Sequence, residues 1–384
     1  MDYNQESLLK HKKAQGKLGI YSKFGPMLTR TDLSLAYTPG VGAVSSHLGK
    51  HPEEAYEYTI KGNTIAVVSD GSAVLGLGNI GPYGALPVME GKCILFKEFG
   101  GVDAYPIVLS TQDTEGIIQA VMAIAPTFGG INLEDIAAPQ CFEIERRLSE
   151  ALDIPVFHDD QHATAIVTLA GVINILRITG KKADELKVVV NGAGAAGLGT
   201  TRLLLSYGIK NITVCDSKGI ISLDRSDLNS EKREVAERTN PERRTGGLTE
   251  AVRGADLFIG LSVAGALTGE QVKLMASKPA IIAMANPVPE IMPDEAKAAG
   301  AYIVGTGRSD FPNQINNVLV FPGVFKGLLA TRTKKVDDRI KLAAAKAIAS
   351  CVSDAELNPE YIIPSVLDAR IANTVAQAII DNVA

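Results

Sequence analysis

The sequence predicts an α/β protein of two domains: an N-terminal α/β unit and, behind it, a doubly wound parallel sheet. Three observations carry this. The chain has 384 residues, 46% hydrophobic and 21% charged, which is ordinary for a globular protein and long enough for more than one core. Past residue 180, short apolar runs at 188–191, 212–216, 257–261, 280–285 and 302–304 alternate with helical periods, the rhythm of a parallel sheet with crossover helices. The first of these runs, Val188-Val189-Val190-Asn191, feeds a G-x-G-x-x-G turn that opens an amphipathic segment. Strand, glycine turn and helix in that order make the second unit Rossmann-like.

Residues 1–25 are polar and basic and read as a helix leading into a loop; so weakly apolar a segment needs another surface to dock on, such as a partner subunit. Residues 64–69 are a buried strand, and 106–109 another, followed by a helix through 116–124. A helical period over 135–150 ends before a short strand at 154–157. Residues 161–178 form a long, mostly apolar helix, which Thr179-Gly180 stops. Residues 307–322 are loop-rich, and the tail is helical at 339–351 and 368–380, with Pro359 and Pro364 between. No internal repeat or low-complexity tract interrupts this. The expected division is 1–162 for catalytic and metal residues, 163–335 for the nucleotide and 336–384 for a tail that returns to the first domain, with the hinge at 163–179.

The formal net charge is −5, and the basic stretches Lys181-Lys182 and 332–335 are too short for a nucleic-acid footprint. The 4 cysteines lie far apart and form no C-x-x-C pair, which favours a reduced compartment over a disulfide framework. Cys93, Cys141 and Cys215 sit among apolar neighbours and read as buried thiols. The N-terminus lacks the apolar core of a signal peptide, and no apolar run approaches the ~20 residues that span a bilayer. The expectation is a cytoplasmic protein.

Two segments match G-x-G-x-x-G, and context separates them. Gly192-Ala193-Gly194-Ala195-Ala196-Gly197 follows a strand, opens a helix and precedes a second strand ending in Asp216, placed to bond a ribose hydroxyl. These residues are the expected dinucleotide site. Asp216 favours NAD, because a carboxylate repels the 2′-phosphate of NADP, although Lys218 stands close enough to neutralise it. The second match starts at Gly76, is separated from its strand by Asp70-Gly71-Ser72-Ala73, and is followed at once by Pro82. It reads as a wall of the substrate cleft.

Upstream lie the acids. Glu134, Asp135 and Asp160 offer oxygen ligands suited to Mg²⁺ or Mn²⁺; the competing reading makes Glu134 and Asp135 the acidic start of the next helix. His158 and His162 are spaced for zinc, but no Glu follows the first His and Pro155 keeps it on a loop. Lys92 borders the apolar run Cys93-Ile94-Leu95-Phe96, where desolvation lowers a lysine pKa and suits it to act as a base; a snorkelling side chain is the alternative. Tyr37 sits in an odd loop, Tyr37-Thr38-Pro39-Gly40-Val41-Gly42.

Together these residues resemble the malic enzymes, most closely the short bacterial type. The resemblance rests on Ala36 to Val41, Ser69-Asp70-Gly71-Ser72, Leu75-Gly76-Leu77-Gly78, Glu134-Asp135, Phe157-His158-Asp159-Asp160, Asn286-Pro287, Gln314-Ile315-Asn316-Asn317 and Phe321-Pro322-Gly323, in family order over about residues 15–330. It implies oxidative decarboxylation of L-malate to pyruvate and CO₂ in a homodimer. It also implies that Tyr37 is the general acid, Lys92 the general base and Asp159 the neighbour orienting Lys92. Glu134, Asp135 and Asp160 match the metal ligands, while Asn286 and Asn317 match residues lining the malate and nicotinamide cleft. Two departures stand out. Ala73 replaces the arginine with which many larger members clamp a malate carboxylate, leaving that role to N–H groups of the Gly76 loop or to a neighbouring subunit. Ala163 stands where glycine is common. The competing functions are a malolactic enzyme that retains NAD, a simple 2-hydroxy-acid dehydrogenase, and a nucleotide-sensing regulatory protein. The last requires loss of acid, base or ligands, and each of those positions is filled.

Overall fold

Strands buried on both faces organise the chain around two sheets. In the computed structural model, which describes residues 3–74 and 76–383, strands β1 (Thr64–Ser69), β2 (Asp103–Val108), β3 (Gly130–Leu133) and β4 (Val156–His158) form a parallel sheet in the order β2-β1-β3-β4. Leu75, quoted in the Gly76 motif, lies outside the described residues. The second sheet holds β5 (Lys187–Asn191), β6 (Asn211–Asp216), β7 (Gly219–Ile220), β8 (Leu257–Gly260), β9 (Ala280–Ala283) and β10 (Ile303–Thr306), in the order β10-β9-β8-β5-β6-β7. It is parallel except for the short β7, which pairs antiparallel to β6.

Alternate residues of each central strand enter different cores. Ile65 and Val67 join a core shared by both sheets, whereas Ala66 and Val68 pack with Ile117, Ile131 and Ile144 on the far face. Likewise Val188 and Val190 face the shared core, and Val189 faces Phe258 and Ile281 outside it.

The shared core is filled by the helix Asp159–Thr179, which the sequence places from 161. The expectation that no segment is long and apolar enough to span a bilayer needs correction. This 21-residue helix meets that test by length and composition, but most of it is buried between the sheets, where an all-round apolar helix belongs. The C-terminal helices Phe321–Thr331, Asp338–Ser350 and Ile371–Val383 close the same core. A Cβ on Gly323 would meet Val375 Cβ at 2.7 Å, so the first and last of these pack in close contact. Phe321 and Phe325 reach Phe96 on the first unit, with ring centroids 4.5 and 5.4 Å apart. Burial pushes the thiols of Cys93, Cys141 and Cys215 up to about 12, as inert core groups.

The N-terminal region is different. The helices Tyr3–Ala14, Arg30–Ala36 and Val41–Leu48 bury no residue. Ile20, Phe24 and Tyr37 are 88%, 76% and 67% exposed.

Candidate active site

Strand β5 lies between β6 and β8, so its C-terminal end opens at the point where strand order reverses, the crevice in which such sheets bind ligands. The glycines of the turn there do three jobs. Gly192 has φ +120°, and a Cβ on it would meet Leu261 O at 2.1 Å. Gly194 faces open space, leaving room for close approach by a ligand, and a Cβ on Gly197 would sit 1.7 Å from Gly192 O. The helix Ala195–Tyr207 starts at this turn and presents its first N–H groups and positive end to the crevice.

Asp216 ends β6 as expected, but its carboxylate is already engaged. Lys218 N at 2.9 Å and Arg225 Nη1 at 2.8 Å donate to Oδ1, while Arg225 Nη2 at 3.1 Å and Lys232 Nζ at 2.7 Å donate to Oδ2. Burial alone would raise its pKa; Arg225 and Lys232 outweigh that and hold it at about 2. The Lys218 ammonium pairs with Asp227 at 2.8 Å instead. Arg225 and Lys232 are not legible in the sequence because only folding brings Arg225, beyond β7, and Lys232, on the helix Ser230–Arg238, back onto Asp216.

Across the crevice, Lys92 projects from the helix Gly81–Leu95. Its Nζ lies 2.6 Å from Asp159 Oδ2, 2.9 Å from Glu134 Oε1 and 4.1 Å from the centroid of the Phe321 ring. Asn317 Nδ2 donates to the same Asp159 oxygen at 2.8 Å. The expected depression of the lysine pKa is overturned. Burial does lower it, but the charges of Asp159 and then Glu134 more than reverse that and raise it above the ordinary value.

Glu134 and Asp135 follow β3, and Asp135 has φ +55°, so they do not begin a helix; the next one is Gln140–Ala151. One carboxylate oxygen each from Glu134, Asp135 and Asp160 lie within 4.8 Å of one another. With Asp159 they make four carboxylates beside one lysine, and Glu134, Asp135 and Asp159 are buried. Burial, then the charge of Asp159, pushes the Glu134 acid well above the usual carboxylate range, and burial raises Asp159 too. Asp159 Oδ1 is buried with no hydrogen-bond partner. Surplus buried negative charge on hard oxygen donors fits a divalent cation such as Mg²⁺ or Mn²⁺. The histidines are used otherwise: His158 Nδ1 accepts from Gln161 N at 3.3 Å as a helix cap, and His162 Nε2 lies 2.9 Å from Glu145.

A cleft of about 820 Å³ joins the two sides, lined by Gly76, Lys92, Glu134, Asp159, Asp160 and Asn317 on one and by Gly194, Ala195, Ala196 and Asn286 on the other. Gly76 is close-packed there: its φ is +70°, and a Cβ would meet Asn286 O at 2.3 Å. Another cavity, about 970 Å³, is larger but holds neither the glycine turn nor Lys92. Chemistry rather than size marks the site. Tyr37 is not among the residues lining the cleft and its side chain is exposed.

Comparison with known proteins decides the family. The model of the malic enzyme N-terminal domain matches residues 19–117 and 110–149, and that of the malic enzyme NAD binding domain matches residues 162–384. The chain belongs to the malic enzyme family. Its relatives include the bifunctional malic/malolactic enzyme of Bacillus subtilis, 55% identical over 99% of this chain and 92% of that one. The NAD-dependent malic enzyme of Geobacillus stearothermophilus is 56% identical over 95% of this chain and 76% of that one, and other relatives are named NADP-dependent malic enzymes. The crystal structure of the NAD-dependent malic enzyme from Thermotoga maritima superposes with a TM-score of 0.94 at 51% identity, covering 97% of this chain and 98% of that one.

Proposed function

We propose that this malic enzyme carries out the oxidative decarboxylation of L-malate to pyruvate and CO₂, with a nicotinamide dinucleotide as oxidant. The observation that carries the reading is the single cleft in which Lys92, the acids and Asn317 meet the Gly194 turn and Asn286. In this reading Lys92, oriented by Asp159, takes the proton of the malate C2 hydroxyl in its neutral form, which a divalent cation on the neighbouring acids would favour by offsetting the charges that otherwise hold it protonated. Asn286, Asn317 and N–H groups of the Gly76 loop orient the substrate, in place of the arginine absent at Ala73. Glu134, Asp135 and Asp160 would hold Mg²⁺ or Mn²⁺, and the ion would supply Lewis-acid stabilisation of developing negative charge. Residues 192–197 would receive the dinucleotide phosphates at the start of the helix Ala195–Tyr207. Once C2 is a ketone, the C4 carboxylate leaves as CO₂, its electron pair moves toward the C2 oxygen, and Tyr37 returns a proton to C3.

Tyr37 acts from a second copy of the chain in a homodimer. Supporting this are the N-terminal helices that bury nothing and the exposed Ile20, Phe24 and Tyr37, an apolar surface that a symmetric partner covers. Within the chain we assign 1–162 to the catalytic domain, 163–335 to the dinucleotide domain and 336–384 to the helical tail.

NAD is the preferred oxidant and NADP is tolerated. Asp216 would accept from the ribose hydroxyls of NAD, and Lys232, whose Nζ lies 2.7 Å from Asp216 Oδ2, would supply a cation for the 2′-phosphate of NADP. Malate, Mn²⁺ and either dinucleotide, followed by nicotinamide absorbance, test the proposal; no reduction with either would overturn it. Malolactic turnover is the second reading, favoured by the name of the Bacillus subtilis relative. It would give lactate without net NADH.

A further inference from the structure

The turn that carries the acids is walled by two cavities. Asp159 and Asp160 line the cleft, whereas Gln161 and His162 line the separate space of about 970 Å³. Glu145, on the helix Gln140–Ala151, meets the turn from that second side. Its carboxylate accepts from His158 N at 2.8 Å, from Gln161 Nε2 at 3.0 Å and from His162 Nε2 at 2.9 Å. It lines no part of the cleft.

We infer that Glu145 is a positioning residue for the metal-binding turn. Its bonds to His158 and Gln161 bracket Asp159 and Asp160 on both sides. That matters because four like charges around one lysine repel, and the turn would otherwise relax by moving Asp160 away from Glu134 and Asp135. The turn also packs closely on the helix Ala195–Tyr207, where a Cβ on Gly199 would already meet Gln161 O at 2.7 Å. Glu145 thus holds by hydrogen bonds a turn that also packs closely on the neighbouring helix. Ligand-orienting partners of this kind set metal affinity by about 10–100-fold.

The inference rests on the proposed metal set, so its test reads metal binding directly. Mn²⁺ is titrated into the wild-type chain, Glu145→Gln and Gln161→Leu without malate, with free Mn²⁺ followed by electron paramagnetic resonance and NADH binding by fluorescence on the same samples. The expected result is a Mn²⁺ Kd raised about 10–100-fold in Glu145→Gln, a smaller rise in Gln161→Leu, and unchanged NADH affinity in both. Wild-type Mn²⁺ affinity in both variants would overturn it. If Glu145→Gln also loses NADH, the damage is general and Gln161→Leu decides, with wild-type Mn²⁺ affinity there refuting the role. Absence of Mn²⁺ binding by the wild-type chain would overturn the metal set itself, and the positioning role with it.

Discussion

Replacing Lys92 with alanine removes the cation that, among the described residues, pairs with Glu134 and Asp159, both essentially buried. Breaking a buried pair by deleting one partner costs about 3–5 kcal/mol, because the remaining charge keeps its desolvation penalty. In a chain of this size that lowers Tm by roughly 5–15 °C. The sign of the pH dependence follows. Burial and mutual repulsion raise Glu134 and Asp159 in the folded chain even with Lys92 present, and more so without it. An acid whose pKa is raised by folding binds its proton more tightly folded than unfolded, so protonation favours the fold and the deficit of the variant shrinks as pH falls. Malate oxidation should fall by about 10²–10⁴-fold, the contribution of a positioned base. NADH binding should survive, since the dinucleotide turn belongs to the other sheet. Scanning calorimetry at several pH values, NADH fluorescence and malate-dependent nicotinamide reduction measure the three. Turnover within tenfold of wild type would remove Lys92 from the base role, and a stability deficit that grows in acid would refute the charge argument.

Asp160→Asn should raise the Mn²⁺ concentration needed for half-maximal malate oxidation strongly; an unchanged metal response counts against ligation. Lys232→Ala should lower kcat/KM with NADP about tenfold or more, the worth of one charge-assisted bond of about 1.5–3 kcal/mol, and spare NAD. Equal losses with both dinucleotides would refute the assignment of Lys232. If Tyr37 and Lys92 of one site come from different copies, mixing inactive Tyr37→Phe and Lys92→Ala chains under exchanging conditions should restore partial malate oxidation. Mixtures as inactive as their parents would place both groups on one chain.

What the sequence makes legible follows the range of the forces involved. The strand at residues 64–69 stands out because its burial is total and its residues mostly β-branched. Strand β3 does not, because Gly130 and Asn132 interrupt the apolar pattern, and Gly130 is there for a distant reason: a Cβ would press on the Phe325 ring at 2.9 Å. The burial of Lys92 is visible in its apolar neighbours, whereas the two acids that reverse its pKa arrive from β3 and from the turn after β4. Asp216 is found by spacing alone, but its charge state depends on Arg225 and Lys232. Tyr37 is singled out as catalytic only by family resemblance, since it is exposed and does not line the cleft.

The central claim is the breaking of the bond between C3 and C4 of malate in step with dinucleotide reduction. Malate labelled in its C4 carboxylate, turned over with Mn²⁺ and NAD, tests this directly. The account predicts labelled CO₂, pyruvate and NADH in equal amounts. NADH without labelled CO₂ would mean simple oxidation of a 2-hydroxy acid, and labelled CO₂ with lactate and no NADH would mean malolactic turnover; either would contradict it.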